Sequence, residues 1–161
     1  MIRYLLALVI LAPLCVLPAC SKPIPEDAGF AIENASKFEL FSLDPFPEKR
    51  ADRKRNFRRW SVLGSTVIKD PEIRDRLIAE FKAAVAEHRG GAESCFNPRH
   101  GFKTVHDGST HEFVVCFECE QVRWYIDGEE TSGFLISDSP EASFDAILQN
   151  AKIPLAEKSQ K

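Results

Sequence analysis

The sequence predicts an α+β domain: an antiparallel sheet of about four to five strands with two helices packed on one face. Three observations lead there. Two stretches carry apolar residues at helical spacing, and each opens on a helix-start signal. Runs rich in β-branched and aromatic residues lie before and between those stretches. Two Asp-Gly pairs, Asp107-Gly108 and Asp127-Gly128, punctuate the middle of the chain as hairpin turns.

Taken in order, residues 20–36 are polar, hold Pro23 and Pro25, and read as an extended tether. Phe38, Leu40 and Ser42 alternate with Glu39, Phe41 and Leu43, which suits a short strand before Asp44-Pro45-Phe46-Pro47. Residues 60–68 form a second strand, from Trp60 to Ile68. Asp70-Pro71-Glu72 opens a helix with an N-cap aspartate, proline at the first helical position and an acid in the first turn. Its buried face is Ile73, Leu77, Ile78, Phe81, Ala84 and Val85, and Arg89-Gly90-Gly91 ends it. Residues 95–105 and 110–126 form a hairpin, and residues 132–137 add a further strand after the second turn. Ser139-Pro140-Glu141 opens a second helix that buries Phe144, Ile147, Leu148 and Ala151 before Pro154 closes it. The single domain is thus expected over residues 37–155, with a polar tail at 156–161.

With Asp107 and Gly108 as turn residues, the hairpin register follows by counting. Phe102 faces Phe113, His100 faces Val115 and Phe96 faces Cys119 on one side, while Lys103 faces Glu112 on the other. A slip by one residue would turn every apolar side chain to the wrong face. The apolar parity changes between Cys119 and Val122, and a one-residue bulge at Glu120-Gln121 accounts for it.

The N-terminus speaks to location. Arg3 is the one charge ahead of an apolar run from Leu5 to Ala19, too short for the roughly 20 residues that a membrane-spanning helix needs. That run ends in Leu17-Pro18-Ala19-Cys20, which resembles the lipobox of bacterial lipoproteins. The resemblance implies that residues 1–19 are a signal peptide, that the Cys20 thiol takes a diacylglycerol, and that its freed amine is acylated, for instance with palmitate. Ser21 stands where an aspartate would imply inner-membrane retention, so the resemblance implies an outer membrane, with the domain facing the periplasm. Lipid on Cys20 then makes the membrane the first partner, since each buried methylene contributes about 0.8 kcal/mol.

The chain holds 21 basic and 24 acidic residues for a net charge of −3, and loss of Arg3 with the signal leaves −4. That balance by itself says nothing about nucleic acid, but an exported protein rarely meets any, so no nucleic-acid partner is expected. The charge is segregated, however. Lys49, Arg50, Arg53, Lys54, Arg55, Arg58 and Arg59 stand against only Glu48 and Asp52. The segment is a candidate contact for anionic headgroups or an anionic envelope polymer, or else a solvated stretch that offsets the acidic remainder.

Of five cysteines, Cys15 leaves with the signal and Cys20 takes the lipid, so Cys95, Cys116 and Cys119 remain. An odd number in an exported domain means a disulfide with a spare thiol, an intermolecular bridge or a ligand cluster. Cys95, His100, Cys116 and Cys119 have the composition of a zinc set, with Cys116-Phe117-Glu118-Cys119 as its C-x-x-C half. On a regular strand, residues three apart point to opposite faces. A regular hairpin would therefore part Cys119 and His100 from Cys95 and Cys116. With the bulge, a Cys95–Cys119 disulfide is the preferred reading, leaving Cys116 as the odd thiol opposite Arg99. A zinc site, a redox C-x-x-C pair and three reduced cysteines remain open beside it. The run Cys95-Phe96-Asn97-Pro98-Arg99-His100-Gly101, followed by Cys116-Phe117-Glu118-Cys119, resembles a pattern in small exported bacterial proteins of unknown function. That resemblance spans much of residues 57–155 and implies no activity.

Catalytic motifs are lacking: no Gly-x-Ser-x-Gly, no His-Glu-x-x-His and no phosphate-cradling loop occurs. Glu118 and Glu120 read as sheet surface, and His106 and His111 as exposed flanks of the turn. The functional expectation is a membrane-anchored exported lipoprotein, a non-catalytic binding or structural domain without a cofactor. The alternative is a thiol-redox or zinc-binding protein built on the cysteine cluster.

Overall fold

The computed structural model describes residues 24–46, 56–91 and 94–157. Cys20 and its signal, the start of the tether, and Lys49, Arg50, Arg53, Lys54 and Arg55 lie outside the described residues.

Among the described residues the chain forms three helices and one seven-stranded antiparallel sheet. The elements run α1 (Glu26–Glu33), β1 (Lys37–Asp44), β2 (Asn56–Phe57), β3 (Trp60–Val67), α2 (Pro71–Glu87), β4 (His100–His106), β5 (Ser109–Cys116), β6 (Gln121–Ile126), β7 (Glu129–Leu135) and α3 (Glu141–Asn150). The α+β class holds; the sheet has more strands than expected and a further helix joins it. Strand order is β2-β3-β1-β4-β5-β6-β7.

Residues 26–33 depart from the expected tether. They form α1, whose Ala28, Gly29, Ala31 and Ile32 are buried against the core. Pro25 precedes the first turn, where a missing N–H costs no helical bond, and Asn34 closes the helix by donating from Nδ2 to the Phe30 carbonyl at 2.9 Å. α2 follows its sequence signals. Asp70 accepts from the N–H groups of Glu72 and Ile73 at 2.9 and 3.4 Å, and Leu77, Ile78, Phe81, Ala84 and Val85 are buried. α3 buries Phe144 and Leu148, while Ala151 is exposed at its end.

The β4–β5 ladder matches the counted register: His106 faces Ser109, Lys103 faces Glu112, Phe102 faces Phe113 and His100 faces Val115. Asp107 and Gly108 both have positive φ, 46° and 81°, as the twist of a two-residue hairpin requires. The expected long strand over residues 110–126 is instead two strands. β5 stops at Cys116, residues 117–120 turn, and β6 returns antiparallel with Val115 opposite Val122 and Phe113 opposite Trp124. A hairpin that faces odd residues with even ones switches apolar parity as a bulge does, so the bulge expected at Glu120-Gln121 is replaced by this turn.

The core beneath the helices centres on phenylalanine. Phe102 stacks on Phe113 and Phe38 at 4.5 and 5.0 Å between centroids, and Phe81 of α2 meets Phe102 edge-on at 5.1 Å. Each fully buried ring of this kind contributes about 1.5–3 kcal/mol. The opposite face holds a second apolar cluster of Phe41, Leu43, Phe57, Trp60, Val114 and Tyr125. The sheet curls to close it. Phe57 lies over Gly101, where a Cβ would sit 2.7 Å from the ring, and Arg58 donates to the Gly128 carbonyl at 2.7 Å across the curl.

Candidate functional site

The end of the sheet where β5 gives way to β6 gathers most of the chemistry. Glu120 N–H donates to the Phe117 carbonyl at 3.1 Å, and Glu120 takes φ of 53° to complete the turn. The Glu120 carbonyl then accepts from Ile136 N–H at 3.1 Å, tying the turn to the segment after β7. This tight reversal brings the Cα atoms of Cys116 and Cys119 to 5.2 Å, inside the span that a disulfide bridges, and the two are bonded.

The segment before β4 lies against that turn. Gln121 Nε2 donates to the Cys95 carbonyl at 3.2 Å, and Phe96 packs edge-on against Trp60 at 5.5 Å beneath the Arg123 guanidinium. Asn97 N–H donates to Cys119 Sγ at 3.3 Å, and Cys95 Sγ lies 3.2 Å from the same sulfur. Cys119 N–H in turn donates to Cys116 Sγ at 3.1 Å. Three sulfurs therefore meet at one point, and two backbone N–H groups are aimed at them. Cys116 and Cys119 are buried, at 1% and 0% exposure, whereas Cys95 is an exposed free thiol.

This corrects the expected pairing. The disulfide joins Cys116 to Cys119, not Cys95 to Cys119, and the spare thiol is Cys95, not Cys116. The rule that residues three apart face opposite ways applies to strands, and residues 117–120 are a turn. Arg99 is engaged elsewhere, by Glu141 at 2.6 Å and Glu118 at 3.7 Å. His100 does not join the sulfurs. Its ring turns to the helix-covered face, between Phe117 and Phe144 at 5.3 and 5.8 Å, and its Nε2 bonds Asp145 at 2.7 Å. Among the described residues, no group of three or more His, Cys, Asp or Glu side chains is arranged to hold a metal ion.

Sequence spacing could not find three polar pairs around this end. His88, buried just after α2, meets Glu120 at 3.0 Å. Arg99 with Glu141 and His100 with Asp145 line up beside α3. The last pair opens onto a small cavity of about 160 Å³, which Arg99, Leu155 and Ala156 also line. Each pair joins residues more than 30 positions apart. A broader cleft of about 450 Å³ lies among Lys37, Arg58, Lys103, Glu112 and Asp127. Its lining holds charges of both signs, most of them paired. Glu112 pairs with Arg58, and Lys37 and Lys103 both reach Glu39, at 3.1 and 3.5 Å.

Burial raises the Glu39 pKa, but hydrogen bonds from Lys37 and Ser65 and the charges of Lys103 and Lys37 together outweigh it, so the carboxyl sits below its usual value. Burial also raises the Tyr125 pKa, helped by its bond to Glu130 at 3.1 Å. His111, expected on the surface, is 7% exposed and stacked on Trp124. Burial, then the charge of His106, pushes its pKa below the usual histidine value.

Of the basic segment, the described Arg58 is half-buried and Arg59 exposed, and both make contacts within the protein. Arg58 reaches Glu112, Gly128 and the Tyr125 ring, and Arg59 lies 4.7 Å over Trp60. Comparison with models of known families, with curated proteins and with solved structures returned no match.

Proposed function

We propose that this chain is a lipid-anchored envelope protein whose domain performs thiol–disulfide exchange at the Cys116–Cys119 pair. One observation carries the redox reading. A free thiol, Cys95, stands 3.2 Å from a sulfur of a closed disulfide, the arrangement that exchange by thiolate attack requires. The surroundings favour the same chemistry. Sulfur that breaks from a disulfide leaves as a thiolate, and N–H groups from Asn97 and Cys119 already point at Cys119 Sγ and Cys116 Sγ. A bonded pair also accords with an oxidising compartment, as does the lipobox-like Leu17-Pro18-Ala19-Cys20.

The test begins with the processed protein from its native membrane. A diacylglyceryl mass on Cys20 is expected, and an unmodified N-terminus would remove the anchor from the proposal. Thiol counting on the oxidised domain should give one free thiol, rising to three on reduction, and equilibration against glutathione buffers should give a reversible two-electron transition. A pair that glutathione never opens in the folded protein would sink the redox reading.

A further inference from the structure

The Cys116–Cys119 disulfide is closed to an outside reagent. Both cysteines are almost fully buried, while Cys95 is exposed and in contact with Cys119 Sγ. Resting on the reading that this cluster is a working redox centre, we propose that Cys95 is the catalytic port through which the buried pair exchanges with the thiols of a second exported polypeptide. Cys119 is the pivot sulfur.

The steps balance without an added oxidant. The Cys95 thiolate attacks Cys119 Sγ, a Cys95–Cys119 bond forms, and the Cys116–Cys119 bond breaks. The electron pair leaves on Cys116 Sγ, which receives the N–H of Cys119 and takes up the proton given up by Cys95. The bridge now includes a sulfur at the surface. A partner thiolate attacks Cys95 Sγ, giving a mixed disulfide and releasing the Cys119 thiolate. A second thiolate on the partner attacks the partner's own sulfur, which frees Cys95. The partner dithiol is oxidised to a disulfide, and the domain is left with three thiols. Run backwards, the same path reduces a partner disulfide.

The geometry explains why no direct route competes. Attack on a disulfide needs a thiolate to reach one of its sulfurs, and both are shut in beneath the turn and the segment that carries Asn97. Gln121 and Arg123 hold that segment, through the Cys95 carbonyl and the Phe96 ring, so Cys95 is kept beside Cys119.

Two variants of the mature chain test this, with reduced glutathione as the partner thiol. Cys95→Ser should keep its disulfide yet be opened by glutathione at least about tenfold more slowly than the wild type, because access limits the rate. Cys116→Ser should close Cys95 to Cys119 in air and show no free thiol. Cys95→Ser opened at the wild-type rate, or two free thiols in oxidised Cys116→Ser, overturns the proposal while leaving the redox reading intact. A wild type inert to glutathione, with Cys116→Ser still bridged, instead overturns the redox function and preserves the pivot geometry.

Discussion

Two disulfides that share Cys119 differ most in what they do to the unfolded chain, and that difference can be measured. Cys116 and Cys119 are three residues apart, while Cys95 and Cys119 are 24 apart. On the loop-closure model, removing chain entropy from the denatured state is worth about 1.6 kcal/mol for the short loop and about 3.4 kcal/mol for the long one. Cys95→Ser can form only the short bridge within the Cys116–Cys119 turn. Cys116→Ser can form only the long one, and both sulfurs are already in contact in the fold. Urea unfolding of each variant, oxidised and reduced, should therefore give an oxidised-minus-reduced gap roughly 1.8 kcal/mol larger for Cys116→Ser. Taking each gap within one variant cancels the cost of the serine itself. Equal gaps, or a larger one for Cys95→Ser, would overturn this expectation, since the long bridge would then strain the fold by at least the roughly 1.8 kcal/mol of its extra loop entropy. The same comparison bears on exchange. The unfolded chain favours the short loop, so close placement of Cys95 is what allows the longer bridge to compete.

Further outcomes follow from single contacts. Gly101→Ala would place a Cβ 2.7 Å from the Phe57 ring and 3.1 Å from the Phe113 carbonyl, so a loss of about 1–3 kcal/mol is expected in urea unfolding. An unchanged midpoint would deny the close curl of the sheet. Asp70→Ala removes the acceptor for two N–H groups at the start of α2 and should cost about 1 kcal/mol, seen as a lower melting temperature. His111 binds its proton less readily folded than unfolded. Stability should therefore fall as pH drops below about 6.5, where the unfolded histidine takes up a proton that the folded one resists. His111→Gln should flatten that slope, and an unaltered pH dependence would assign it to other groups.

Local chemistry made some of this fold legible. Asp70-Pro71-Glu72 and the helical spacing after it place α2 because capping and one-sided burial are written within a single turn of sequence. Asp107-Gly108 fixes the β4–β5 register because a two-residue turn leaves no freedom in which residues oppose. The helix α1 was hidden because its buried face is mostly alanine and glycine, which carry little apolar signal, and it follows two prolines. The parity change after Cys119 was visible, but a bulge and a turn leave the same trace in one strand's alternation. Counting along the chain leaves three cysteines for the domain if Cys20 takes lipid, and sets Phe102 opposite Phe113. Which sulfurs meet, and the bonds of His88 to Glu120 and His100 to Asp145, emerge only in the folded chain. Those contacts depend on how loops from distant parts of the chain converge at one end of a curled sheet, and no local periodicity encodes that convergence.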